Sequence, residues 1–151
     1  MVVQIYVWLP GNGNVGHASV TLSDGTHISW WPKEAKSMRH MTSVEASPAR
    51  SYDQDVEWEG KPADHRITIR EGVLDETAIK TWWSQFSNKS KYHLLSNNCC
   101  SAVYEALNKG GAKKYVAFSW EILSTPENVK EYAEKLKKAT DDRQTSLHDE
   151  L

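Results

Sequence analysis

The sequence predicts an α+β fold, on three observations. Period-two alternation dominates the first 31 residues, helical stripes fill the second half, and a long polar connection joins the two. Val3, Ile5 and Val7 alternate with Gln4, Tyr6 and Trp8, with β-branched residues dominating. Pro10-Gly11-Asn12-Gly13-Asn14 is a concentrated turn signal. His17 to Leu22 alternates again, Ser23-Asp24-Gly25 turns, and His27 to Trp31 makes a third strand that Pro32 ends. An antiparallel meander is therefore expected at the N-terminus.

Residues 33–65 read as an irregular lid or substrate-facing loop, since so long a connection is uncommon unless it is a lid, a binding loop or an excursion with short elements. Its acids, among them Asp53, Asp55 and Asp64, lack the tight ligand period and positioned glycine of a calcium loop. Arg66 to Arg70 is a short strand candidate. Asp75 then caps a helix whose apolar face is Ala78, Ile79, Trp82, Trp83 and Phe86. A second helix runs from about Asn98 to Asn108 and stops at Gly110-Gly111. A third starts at Thr125-Pro126-Glu127 and carries the stripe Val129, Tyr132, Ala133 and Leu136. Residues 1–139 are expected to form a single catalytic domain and 140–151 a polar, flexible tail.

Composition narrows the function classes. A length of 151 residues suits one core, and 39% apolar with 25% charged residues is ordinary globular usage. A net charge of −2 makes no electrostatic case for nucleic acid. No apolar stretch approaches the ~20 residues of a membrane helix, and Val2 to Leu9 is too short for a secretory signal. His148-Asp149-Glu150-Leu151 matches a receptor-read retention signal, which carries weight only if the chain enters the secretory route. The seven tryptophans are expected mostly as core or groove aromatics, because indole buries a large area.

The two cysteines, Cys99 and Cys100, are adjacent, so they close no loop and form no C-x-x-C metal framework. With Asn97 or Asn98 as cap, Cys99 lies in the first turn of the second helix. There unpaired N–H groups and the helix dipole favour a thiolate and can hold an oxyanion. Cys100 falls in the middle of the stripe Val103, Tyr104 and Leu107, and Cys99 at its edge, where a side chain can be partly exposed. Cys100 reads as a small core residue and Cys99 as the reactive one. Two buried core thiols are the competing reading, and spacing alone leaves the two level. The base must come through the fold. His17 and His27 sit on adjacent predicted strands, and His93 lies six residues before Cys99; His40, His65 and His148 lie in irregular segments.

GHASV, then THISWWP, then YHLLSNNCCSAVYEAL resembles, in that order, the circularly permuted papain-like cysteine enzymes. These include the permuted NlpC-type hydrolases and the relatives of lecithin:retinol acyltransferase. The resemblance implies an antiparallel sheet packed against a nucleophile-bearing helix. It implies His17 as base, Cys99 as nucleophile and His27 as the orienting residue, with Ser29 a second candidate. It covers about a third of the chain; the doubled cysteine and segment 33–65 depart from it. The same motifs also resemble bacterial effector or toxin-like domains, implying a soluble effector acting in a host or target cell.

The expected activity is a hydrolase or acyltransferase working on an amide or ester bond of a protein, peptide or lipid through a thioacyl enzyme, with no cofactor and no metal. Asn98 and His93 are further oxyanion or orienting candidates. Trp30 and Trp31 are the expected groove residues, one packing inside and the other facing a groove or solvent. The alternative is a non-enzymatic binding module with a Trp-lined groove on the same fold. A transition-metal site ranks last, because local ligand spacing is lacking.

Overall fold

The computed structural model describes residues 1–11, 14–32, 46–89, 98–117 and 125–149, with side chains to residue 142 in the last helix. In chain order the elements are strands β1 (Val3–Trp8), β2 (His17–Thr21) and β3 (His27–Ile28), helix α1 (Tyr52–Glu59), and strand β4 (His65–Ile69). Helices α2 (Glu76–Lys89) and α3 (Cys99–Lys109), a 3-10 turn (Ala112–Lys114) and helix α4 (Pro126–Asp149) follow. The strands form one antiparallel sheet in the order β3-β2-β1-β4. This is the α+β class that the sequence predicts.

β1 is central because its odd positions are β-branched and its register meets more of the same. Ile5 pairs with Val20 on one side and Ile67 on the other. Val3, Ile5 and Val7 join Ala18, Val20 and Ile69 in the main core, closed by Val103 and Leu107 of α3 and by Val129, Ala133 and Leu136 of α4. The pleat sends Tyr6, Trp8, His17, Ser19 and His27 to the other face. That face receives α1, whose Tyr52 stacks on Tyr6 with ring centroids 4.2 Å apart.

The structure adds three details. First, the third strand stops at Ile28 instead of Trp31. From Ser29 the chain leaves β2 and pairs with the segment after the long connection: Ser47 N–H donates to the Trp31 carbonyl (2.7 Å) and Ala49 N–H to that of Ser29 (3.2 Å). Among the described residues, positions 17–19 of β2 are thereby left without a strand neighbour on that edge. Second, segment 33–65 is an excursion that includes a short helix. Residues 33–45 lie outside the described residues, but Tyr52–Glu59 is helical. Its Ser51 cap accepts from Gln54 N–H, and Gly60 ends it with a positive φ of 87°. Third, α4 continues through the segment expected as a tail. Arg70 Nε donates to the Thr140 carbonyl (3.1 Å), Thr140 is buried, and Lys137 pairs with Asp141 one turn on (2.7 Å).

Candidate active site

Helix α3 begins with a capping box. Asn98 Oδ1 accepts from Ser101 N–H (2.9 Å) and Ser101 Oγ accepts from Asn98 N–H (2.8 Å), so Asn98 is the cap and Cys99 the first helical residue. Asn97 and His93 lie outside the described residues. The two amides of the first turn that follow the cap point away from the helix without intrahelical acceptors. Here α3 packs against β2, at the edge that the short β3 leaves open. Cys99 meets the Ala18 amide and the His17 imidazole at that point.

His17 is placed by an unusual approach of backbone. Gly16 has φ 83°, and a Cβ built on it would stand 2.5 Å from the Trp8 carbonyl oxygen and 2.9 Å from Pro126. Only glycine lets the chain enter β2 this close to the end of β1. The His17 ring is fully buried and stacks on Trp31, with centroids 4.0 Å apart and planes at 25°. Its Nε2 lies 2.9 Å from Ser29 Oγ and 3.3 Å from Asp55 Oδ1. Its Nδ1 makes no hydrogen bond among the described residues and is the nitrogen left to meet Cys99.

The residue missed from sequence is Asp55. It sits on the face of α1 turned to the sheet, fully buried, and collects donors from three directions. Ser29 Oγ donates to its Oδ1 (2.5 Å), Trp31 Nε1 to the same oxygen (2.8 Å), and His27 Nε2 to Oδ2 (2.6 Å). His27 Nδ1 in turn accepts from Thr21 Oγ1 (2.8 Å). His27 therefore holds Asp55 and makes no hydrogen bond to His17, whereas Ser29 touches both. A signal for α1 was present: Ser51-x-x-Gln54 is a cap pattern and Gly60 a stop. Glu59, one turn after Asp55, is half-buried, and burial raises its carboxyl above the ordinary value.

These neighbours set the protonation states. Burial alone would depress the His17 imidazolium, but the Cys99 thiolate and the hydrogen bond to Asp55 raise its pKa to about 10. Contact with the Cys100 sulfur outweighs burial, and His17 and the Ala18 amide add to it, so the Cys99 thiol lies well below its usual range. Burial would raise Asp55, yet hydrogen bonds from His17 and His27 hold its carboxyl far below the carboxylate norm. These shifts favour a thiolate beside an imidazolium, backed by a carboxylate.

Other sequence expectations are redistributed. Cys99 is only 5% exposed and Cys100 1%, so the partial exposure expected for Cys99 is absent; the Ala18 edge of β2 and His17 cover it. Trp30 and Trp31 are both interior, at 0% and 6%. Trp30 packs against Trp83 and Phe86 of α2, and Trp31 covers His17, because the segment at 46–49 closes over them. The open tryptophans are others: Trp58 and Trp83 line a cavity of about 510 Å³ together with His27, Arg50 and Gln54. Among the described residues, no group of three or more His, Cys, Asp or Glu is arranged to hold a metal ion. None of the described helices is long and apolar enough to cross a membrane.

Comparison with known proteins adds relatives of one kind. The model of a family described as IcsB middle domain matches residues 59–150, more than half of the chain. That span contains Cys99 and begins after His17, Ser29 and Asp55. The chain is 32% identical over 97 residues to a multifunctional-autoprocessing repeats-in-toxin protein of Vibrio vulnificus, covering 60% of the chain. It is 31% identical over 75 residues to the protein of the same description from Vibrio cholerae serotype O1, covering 47% of the chain. In each case it spans 2% of the relative's length. No solved structure matches the chain.

Proposed function

The chain belongs to the IcsB middle domain family, and from that premise we propose that it is a bacterial effector or toxin domain with cysteine-dependent acyl chemistry. The observation that carries this reading is the line Cys99, His17, Asp55: a thiol at a capped helix start, an imidazole with one nitrogen left for it, and a buried carboxylate behind. The order of these residues along the chain, base before nucleophile, is that of the permuted papain-like enzymes the sequence resembles.

In this reading Cys99 attacks the carbonyl carbon of an ester, thioester or amide as the thiolate. The first-turn amides of α3 stabilise the oxyanion, and Asn98 keeps them in place. His17 gives its Nδ1 proton to the leaving group, which leaves a thioacyl Cys99 and a neutral imidazole. His17 then takes a proton from water, or from an amine or hydroxyl acceptor, as that nucleophile attacks the thioester and Cys99 departs. Ser29 and Asp55 hold the Nε2–H tautomer, so that Nδ1 stays the working nitrogen. The substrate is a protein, peptide or lipid acyl compound.

A second reading draws on the cavity beside Trp58 and Trp83, which suits a binding module in which Cys99 is inert. Intact-mass spectrometry with p-nitrophenyl acetate separates the two. The enzyme reading expects an acetyl adduct on Cys99 that turns over, and its loss in Cys99→Ala and His17→Ala with circular dichroism unchanged. Cys100→Ala should keep turnover. Slow, equal labelling of both thiols by iodoacetamide would refute the enzyme reading and leave the binding module.

A further inference from the structure

The second cysteine is placed as more than core filling. Cys100 follows Cys99 within the first turn of α3, and the two sulfurs lie 3.9 Å apart in a buried contact. Successive helix residues point about 100° apart, so adjacent side chains ordinarily diverge. Here Cys99 turns to the open edge of β2 and Cys100 stays against the core beside Val103 and Tyr104, yet the sulfurs remain in contact. Either sulfur could be the donor in that contact. Cys99 faces the Ala18 amide, which donates to sulfur, and the His17 imidazole. That surrounding leaves Cys99 as the acceptor and Cys100 as the group that keeps its proton.

We propose that Cys100 is a positioning residue for the nucleophile, its S–H donating to the Cys99 thiolate. This rests on Cys99 being the nucleophile of the proposed function. The sulfur thus has the Cys100 thiol within its own helix and the Ala18 amide of β2 as donors, with the His17 ring beside it. A thiol is the only common small side chain that packs as an apolar group in this core and still offers a proton to sulfur. Burial acts in the same sense, since it disfavours a second thiolate, and the Cys100 thiol is pushed well above its ordinary range by its bond to Cys99 and by desolvation. The doubled cysteine thereby divides two tasks between neighbours, one sulfur that reacts and one that stays protonated.

The test is the pH dependence of Cys99 alkylation by iodoacetamide, read at that residue by tandem mass spectrometry, which needs no substrate. Cys100→Ala should raise the midpoint by about one pH unit, a tenfold loss of rate on the acid side. Cys100→Ser keeps a donor and should fall between Ala and the wild type. An unmoved midpoint in Cys100→Ala, or equal shifts in Ala and Ser, would overturn the proposal while leaving Cys99 as nucleophile. An ordinary thiol midpoint in the wild type would overturn both. Raman spectroscopy gives a readout independent of the Cys100 variants' folding. The S–H stretch of Cys100 should lie at low wavenumber in the wild type and rise in Cys99→Ala, and a band that does not move refutes the hydrogen bond.

Discussion

His27 Nε2 donates to Asp55 Oδ2 across 2.6 Å, and Ser29 Oγ donates to Oδ1 of the same carboxylate. Because the His27 ring also accepts from Thr21, both of its nitrogens are committed, and Asp55 is clamped with Oδ1, which also accepts from Ser29 and Trp31, facing His17. The carboxylate is thus the hub of the site, and the two strand residues expected to orient His17 act on it through Asp55 or beside it.

Removing that hub should be costly in two ways. Asp55→Asn is expected to lower turnover by ~10²–10⁴-fold, since the Nε2–H tautomer of His17 loses its acceptor. It should also destabilise the fold by about 3 kcal/mol, as expected when one partner leaves a buried charged network. Asp55 has a depressed pKa, so its contribution is present above the unfolded carboxyl value and lost as pH falls through the lower folded value. Urea titrations of variant and wild type should therefore converge only at strongly acidic pH. Equal stability of the two at pH 7 would show that the network carries no net energy.

The protonation of His17 predicts a wide working range. Its pKa is raised above 6.5 to about 10, so the imidazolium's contribution to stability is full below 6.5 and is lost as pH rises through about 10. Cys99 titrates in the opposite direction, and the pair is best measured as a unit. kcat/KM for the ester is expected to fall as pH rises through about 10, while alkylation of Cys99, which needs only the thiolate, persists there. A basic limb near 6.5 would mean that the thiolate–imidazolium pair does not form.

Gly16 can be tested without touching a titrating group. Gly16→Ala puts a methyl against the Trp8 carbonyl and Pro126 at a φ of 83°, so it should cost about 1–3 kcal/mol and displace His17. The melting temperature should drop and iodoacetamide labelling of Cys99 should slow together. A melting temperature equal to that of the wild type would show that the β1–β2 approach relaxes freely.

The cap of α3 links stability to chemistry. Asn98→Ala removes the side-chain arm of the capping box and should cost about 1 kcal/mol. Asn98→Asp keeps that arm but places a negative charge at the cap, one residue before Cys99. Chemical denaturation should rank the variants Asp above Ala, and Cys99 alkylation at pH 7 should be slower in Asp than in the wild type. If Asp alkylates as fast, the sulfur does not feel the charge at the cap.

How far the sequence reaches differs from element to element. β1 and the stripes of α2, α3 and α4 were legible because burial imposes periods of 2 and 3.6 on their apolar residues. Helix α1 was not, because it is short and carries few apolar residues; it docks by Tyr52 stacking and by one buried aspartate, not by a stripe. The end of β3 was hidden for another reason. Residues 29–31 keep a strand-like pattern, but their partner is the segment at 46–49, which alternation cannot name.

The doubled cysteine shows the same division. Sequence by itself determined the α+β class, the placement of Cys99 at a helix start, and a histidine on each of two neighbouring strands, since all of these follow from local pattern and chain order. Only the tertiary structure decided that His17 and not His27 adjoins Cys99, that Asp55 stands behind them, and that Cys100 touches the Cys99 sulfur. Those choices depend on where β3 leaves the sheet and which edge α3 then covers. That is settled by contacts between residues far apart in the chain, and no local period records it.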